Sequence, residues 1–472
     1  MAGWYLGLAP TRTDALGVWG GGVALALLLG VLASFARPWA AVVAAVAVLV
    51  LAAYYVRALG REAGLVVLLI VASVVDHFTF SVGPLALRAE QVAALIAVCV
   101  LVFIKVREGE TSWLKPNLAE GLLLAWFAIS AVSSLLSSPD KRLSAKILAL
   151  VVICSLGFFL PRRITGSASQ LEVVTRWLLI IFATESTYGV LTYLLHVFGP
   201  TISIGPNPAS GHLESYGTLW EQNVFGSFAA AGAVAWIYLG PGRFPRSWLG
   251  LAACVGGLFD SLTRAAWLVA AILGALGAAL PTLRRRIDWR MVGLGGLVAL
   301  VVVVATIVAD RVGDYTAFDF HGGGRHVRSN LLTALLNVVD LIGRLNQSGP
   351  VWSDIHSRLL LGRGTASFEA LHQINGVPQH VASLPLLVLN DTGLLGLAVF
   401  AVFAAAVFAR AWGRRQSPTV LGMGQVALVV ALTNLATQTT ELMVGWLLIG
   451  MLIAAADLVP GDRPVVREGV KR

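Results

Sequence analysis

Residues 291–309 read MVGLGGLVALVVVVATIVA, an apolar run that gives way at Asp310 and Arg311 to a polar segment lasting to His380. From 386 to 409 the chain is apolar again, LLVLNDTGLLGLAVFAVFAAAVFA. A helix needs about 17 to 25 mostly apolar residues to cross a bilayer, and both runs are that long. Outward from this pair, further windows fall at 18–36, 38–56, 64–82, 90–105, 118–136, 143–160, 172–198, 223–240, 247–262, 264–281, 421–437 and 442–458. The expectation is an all-α polytopic transmembrane helical bundle of about 12–14 spans, with one long external loop containing short helices. Residues 1–309 form the first part of the bundle, 310–385 the external loop, and 386–472 the last spans and a cytoplasmic tail. The first run, which lacks a basic leader before it, reads as a retained anchor.

Composition agrees. The 472 residues are 57% hydrophobic and only 12% charged, with a mean hydropathy of +0.81. Soluble domains carry about 25% charged residues, so that class is excluded. The net charge of +9 does not imply nucleic acid, because membrane proteins gather basic residues in cytoplasmic loops. Cys99, Cys154 and Cys254 lie in separate apolar runs without Cys-x-x-Cys spacing and read as inert core thiols.

The charges then set the topology. With both termini cytoplasmic, the inner loops hold Arg57 and Arg61; Lys105, Arg107 and Lys115; Arg162 and Arg163; Arg243 and Arg246; Arg284, Arg285 and Arg286; and Arg410, Arg414 and Arg415. Alternate loops are basic, as the positive-inside rule requires. The outer loops are poor in Lys and Arg except at Lys141-Arg142 and across 310–380, which holds Arg311, Arg325, Arg328, Arg344, Arg358 and Arg363. Guanidinium groups on an outer loop point to an anionic ligand, since Arg is suited to forked phosphate recognition. Within the loop, Leu331, Leu332, Leu335, Leu336, Val339 and Ile342 recur with a helical period, which predicts an interfacial helix over 329–344.

Several positions are candidates for chemistry. Arg264, at a predicted outer span end, either pairs with Asp260 or binds a phosphate. Asn223 suits a helix N-cap; alternatively Glu221, Gln222 and Asn223 face a sugar, with Trp220 against the ring. His380, where the loop returns to the membrane, is a candidate general base, with His356 and His372 as competitors. No Walker A loop, His-Glu-x-x-His or Gly-x-Ser-x-Gly is present, and the loop histidines match no metal spacing.

Taken in order, these segments resemble the O-antigen ligase and O-antigen polymerase superfamily of bacterial membrane glycosyltransferases. Gly217-Thr218 through Asn223 resembles the family's Gly-Thr segment ending in Pro-Asn, with Gln222 in place of the Pro. Thr263-Arg264-Ala265-Ala266-Trp267 resembles its Ser-Arg-Gly/Ala segment. Leu361-Gly362-Arg363-Gly364 resembles its Gly-x-Gly stretch, and Asp391-Thr392-Gly393-Leu394-Leu395-Gly396 its exit motif. The family follows its His with Asn, Ser or Gln; here Val381 follows His380, and Gly393 comes later than the usual exit Gly. Ser383 is a second group for part of the role of the His.

The resemblance implies metal-independent, cofactor-free, inverting transfer of a glycan from a polyprenyl (undecaprenyl) diphosphate carrier to an acceptor glycan or glycolipid hydroxyl. The reaction would lie on the outer, periplasmic face of the bacterial cytoplasmic membrane, in lipopolysaccharide or other cell-envelope polysaccharide biosynthesis. His380 would be the base; Arg264 and a loop arginine, Arg344 or Arg358, would hold the diphosphate; Glu221, Gln222 and Asn223 would bind substrate. Membrane lipids are partners and nucleic acid is not. A polymerase joining lipid-linked repeats is the rival within the superfamily. A transporter of lipid-linked sugars is the rival outside it, for which related halves and helices broken near mid-membrane are expected; the sequence predicts neither.

Overall fold

A computed structural model describes residues 59–75, 79–82, 85–109, 111–198, 206–207, 214–219, 221–312, 349–374 and 377–459. The expected spans at 18–36 and 38–56, Trp220, Arg344 and the interfacial helix at 329–344 lie outside the described residues.

The fold is an all-α bundle. Among the described residues its helices are α1 (Arg61–Val74), α2 (Ala89–Arg107), α3 (Leu118–Ser137), α4 (Lys141–Ile164), α5 (Ala168–Phe198), α6 (Gln222–Leu239), α7 (Ser247–Asp260), α8 (Arg264–Ala279), α9 (Pro281–Arg284) and α10 (Trp289–Val312). A helical stretch at 349–357 follows, then α11 (Ser367–Leu371), α12 (Leu384–Trp412), α13 (Pro418–Thr433) and α14 (Met443–Leu458). Among the described residues three small antiparallel hairpins join them: β1 (Thr79–Val82) with β2 (Leu85–Arg88), β3 (Pro206–Asn207) with β4 (Glu214–Ser215), and β5 (Gln373–Ile374) with β6 (Val377–Pro378). Six helices among the described residues are long and apolar enough to cross a membrane: α2, α3, α4, α5, α10 and α12. Every expected span from 90–105 onward is carried by a helix. The window at 64–82 is corrected: α1 stops at Val74, and the chain turns into β1 and β2. The β-branched and aromatic residues of 79–82, flanking Gly83-Pro84 in sequence, have hairpin composition. Cys99 is exposed, while Cys154 and Cys254 are buried as expected.

Helix ends follow from local chemistry. Asn117 and Glu120 form a reciprocal capping box at the start of α3. Asp140 accepts from Arg142 N and Leu143 N at 3.0 Å, which starts α4. α4 and α14 meet through small residues: a side chain on Gly450 would sit 2.6 Å from the Gly157 carbonyl.

The ion pairs divide the bundle into two ends. At one end Arg162 reaches Glu120 (2.9 Å) and Asp457 (2.7 Å), and Arg163 also pairs with Glu120. Arg410 and Arg414 join Asp457, Arg243 joins Glu172, and Arg286 donates to the Gln416 carbonyl. All these basic residues belong to loops that the charge alternation puts on one side. The alternation read in the sequence is therefore a physical basic end.

The opposite end is organised around a break in α12. Gly393 has φ +66° and ψ −167°, so the helix is interrupted there. This corrects the expectation of no broken helix. Four backbone bonds hold the preceding loop across the break: Arg363 N to Asn390 O (2.8 Å), Gly364 N to Asp391 O (2.9 Å), Leu394 N to Leu359 O (2.8 Å) and Leu395 N to Leu360 O (3.3 Å). An interrupted helix leaves backbone groups unpaired in an apolar setting, and the loop supplies their partners. A Cβ on Gly362 would stand 2.5 Å from the Asp391 carbonyl carbon, and one on Gly393 2.6 Å from Leu361 N. Only glycine allows two backbones this close at positive φ. The serine face of α3 closes the other side: Ser133 donates to Asp391 O (2.7 Å), and Ser134 accepts from Thr365 N (3.0 Å).

Candidate functional site

At this second end the β1–β2 hairpin, the start of α6, the return of the loop and the α13–α14 connection enclose a cavity of about 250 Å³. Arg88, Glu221, Asn223, His380, Thr437 and Glu441 line it with their neighbours. Of the residues expected from sequence, His380, Glu221 and Asn223 are thus brought together. Gln222 and Arg264 do not line it; Thr263 Oγ1, at the cap position just before Arg264, donates to Gln222 O at 2.8 Å and ties the start of α8 to the start of α6. Arg358 lies elsewhere, donating to Ser137 Oγ at 3.0 Å.

Glu185 on α5 sets up the approach to α6, since its carboxylate accepts from Thr218 N (2.6 Å) and Thr218 Oγ1 (2.9 Å). Gly217 has φ +60°, and a side chain there would run into that carboxylate. The Gly-Thr pair is therefore a turn clamped by a buried acid. The expected N-cap at Asn223 is corrected: α6 begins at Gln222 with Glu221 at the cap position, which places Asn223 in the first turn. The expected Asp260–Arg264 ion pair is also corrected. Neither oxygen of the buried Asp260 has a hydrogen-bond partner among the described residues.

Geometry separates the three histidines. His356 Nδ1 engages Trp352 O (2.7 Å), and His372 Nε2 engages Asp354 (2.8 Å), which Arg363 also approaches at 3.3 Å. His380 alone of the three lines the cavity, with Nδ1 3.2 Å from Glu369 Oε1. The hydrogen bond to Glu369 raises the His380 pKa above the ordinary histidine value, burial opposes it, and Glu369, Glu441 and Glu221 add favourable charge. A carboxylate on Nδ1 fixes the tautomer with its proton there and leaves Nε2 as the basic nitrogen. Val381 is buried with Val351, Ile355 and Phe368, which anchors the chain next to His380. Ser383 only precedes α12 and makes no side-chain cap.

Arg88, Glu369 and Glu441 were missed in the sequence. Arg88 Nη1 donates to the Glu441 carbonyl at 3.2 Å, and Cys154 Sγ donates to the same oxygen at 3.1 Å. Burial pushes the Glu441 carboxyl up, and nearby Glu369 adds to the shift. A signal existed for two of them: Arg88 and Glu441 both interrupt apolar sequence at predicted outer turns. Among the described residues no group of three His, Cys, Asp or Glu is arranged to hold a metal ion. No protein-family model matches the chain, and no curated protein matches it.

Proposed function

We propose that the chain is a membrane glycosyltransferase that moves a glycan from a polyprenyl diphosphate to an acceptor hydroxyl. The proposed setting is the outer face of a bacterial cytoplasmic membrane, in the manner of an O-antigen ligase. The observation that carries this reading is the cavity at the end opposite the basic one, where an acid-paired His380 shares a wall with Arg88, Glu221 and Asn223. The order of the Gly-Thr, Thr-Arg, Gly-x-Gly and exit segments supports it, and two of these segments are hydrogen-bonded to each other.

The chemistry is balanced without a nucleotide or metal. Nε2 of His380 takes the proton of the acceptor hydroxyl, whose oxygen forms the new bond to the anomeric carbon. The bond from that carbon to the diphosphate oxygen breaks, and the diphosphate leaves with the electron pair. In-line displacement inverts the sugar. Guanidinium groups stabilise the leaving charge. Arg88 lines the cavity, whereas Arg358 does not; the Thr-Arg resemblance assigns Arg264 as the second guanidinium. Glu221 and Asn223 meet sugar hydroxyls, and the general base contributes roughly a hundred- to ten-thousandfold in rate.

The test uses the full chain in nanodiscs with a polyprenyl-diphosphate glycan and EDTA. Acceptor-dependent release of the carrier diphosphate, with the glycan recovered on the acceptor, is expected. Transfer only onto a second lipid-linked repeat would assign a polymerase. Movement of the lipid-linked glycan between leaflets without bond cleavage would assign a transporter and refute transfer.

A further inference from the structure

Lys141 and Arg142 break the charge pattern of their end, and the proposed reaction does not use them. Both are exposed on α4 together with Lys146, which lies one turn beyond Arg142 on the same strip. None of the three has an ion-pair partner among the described residues, although Asp140 stands next to them in sequence. The Asp140 carboxylate is instead directed at the backbone of α4. Arg358 is brought to the same edge through its bond to Ser137, four residues before Lys141. Immediately beside these cations the surface is apolar: Leu135 and Leu136 are each 67% exposed and Leu360 is 68% exposed.

This pairing of a cationic rim with a leucine surface has the layout of a bilayer boundary. The leucines match acyl chains. The cations sit where headgroup phosphates lie, and the long stem of Lys146 can extend toward them from its lower position. We infer that Lys141, Arg142, Lys146 and Arg358 form a binding site for the phosphate of an anionic phospholipid, whose acyl chains lie against Leu135, Leu136 and Leu360. Such a lipid would also hold down the 357–364 segment, which clasps the break in α12. The inference does not depend on the glycosyl-transfer reading, since lipid binding is measured without turnover.

The experiment is native mass spectrometry of the full chain titrated with phosphatidylglycerol or phosphatidylcholine. The wild type is expected to retain phosphatidylglycerol preferentially. A surface cation contributes about 1 kcal/mol near anionic lipid, so Lys141→Gln/Arg142→Gln/Arg358→Gln should weaken binding roughly 10- to 100-fold. Arg284→Gln/Arg285→Gln/Arg286→Gln, at the other end, should leave it unchanged. If the first triple variant melts early, Arg142→Gln and Lys146→Gln are read singly, each with severalfold weaker binding. Equal retention of the two lipids, unchanged binding in the rim variants, or displacement of the lipid by an equal concentration of inorganic phosphate would overturn the proposal.

Discussion

Glu369 Oε1 lies 3.2 Å from His380 Nδ1, which couples a histidine at the cavity wall to an acid buried beside the broken helix. The coupling has a definite sign. Glu369 holds the His380 pKa above its ordinary value of about 6.5, and the base works only when deprotonated. The transfer rate should rise with pH through a midpoint above 6.5, and Glu369→Gln should move that midpoint down. Stability runs the other way: the contribution of the pair is fully present below the unfolded histidine pKa and is lost as pH rises through the folded one. A pH–rate profile of both proteins checks this; coincident midpoints would separate Glu369 from the chemistry.

Substitution at the clasp should be structural. Gly393→Ala and Gly362→Ala combine positive φ with backbone atoms about the new Cβ that cannot yield. Each should cost about 2–4 kcal/mol. Gly109→Ala, also at positive φ but with open space around it, should cost about 1–2 kcal/mol. Thermal unfolding in one detergent ranks the three, and an equal loss at all of them would reduce the clasp to a set of ordinary turns.

Glu120 is 1% exposed and holds two arginines at the basic end. Glu120→Gln leaves Arg163 without its buried counter-charge and Arg162 with Asp457 alone, and should destabilise by roughly 1–3 kcal/mol. Residual folded protein should keep its activity, because this network lies at the end away from the cavity.

Arg264→Lys keeps the charge and loses the fork. Transfer should fall at least tenfold with unchanged protein level, the loss of one bidentate contact to a diphosphate. Wild-type activity in this variant would assign Arg264 to helix packing instead.

The sequence made the helices legible because apolar runs and alternating basic loops are long-range regularities. It also showed the four short segments, since glycine, threonine and arginine at turns have distinct backbone and charge roles. It did not show that Leu361-Gly362-Arg363-Gly364 and Asn390–Gly393 would join, because backbone hydrogen bonds carry no residue signature. The break in α12 left no mark for the same reason: Gly393 stands in the apolar run 386–409, whose length alone predicts an unbroken span. Glu369 is a single acid outside any motif, and only the fold brings it to His380. Arg88 and Glu441 stand 353 positions apart, and only folding makes them neighbours.

The central claim is tested most directly by single-turnover transfer with His380→Ala beside His372→Ala, at saturating lipid-linked glycan and in EDTA. The account predicts that His380→Ala still binds the carrier-linked glycan but loses the rising pH limb and at least a hundredfold in rate. His372→Ala, whose ring is committed to Asp354, should stay within a few-fold of wild type. Full turnover by His380→Ala, or activity restored to an EDTA-treated sample only by a divalent ion, would contradict it.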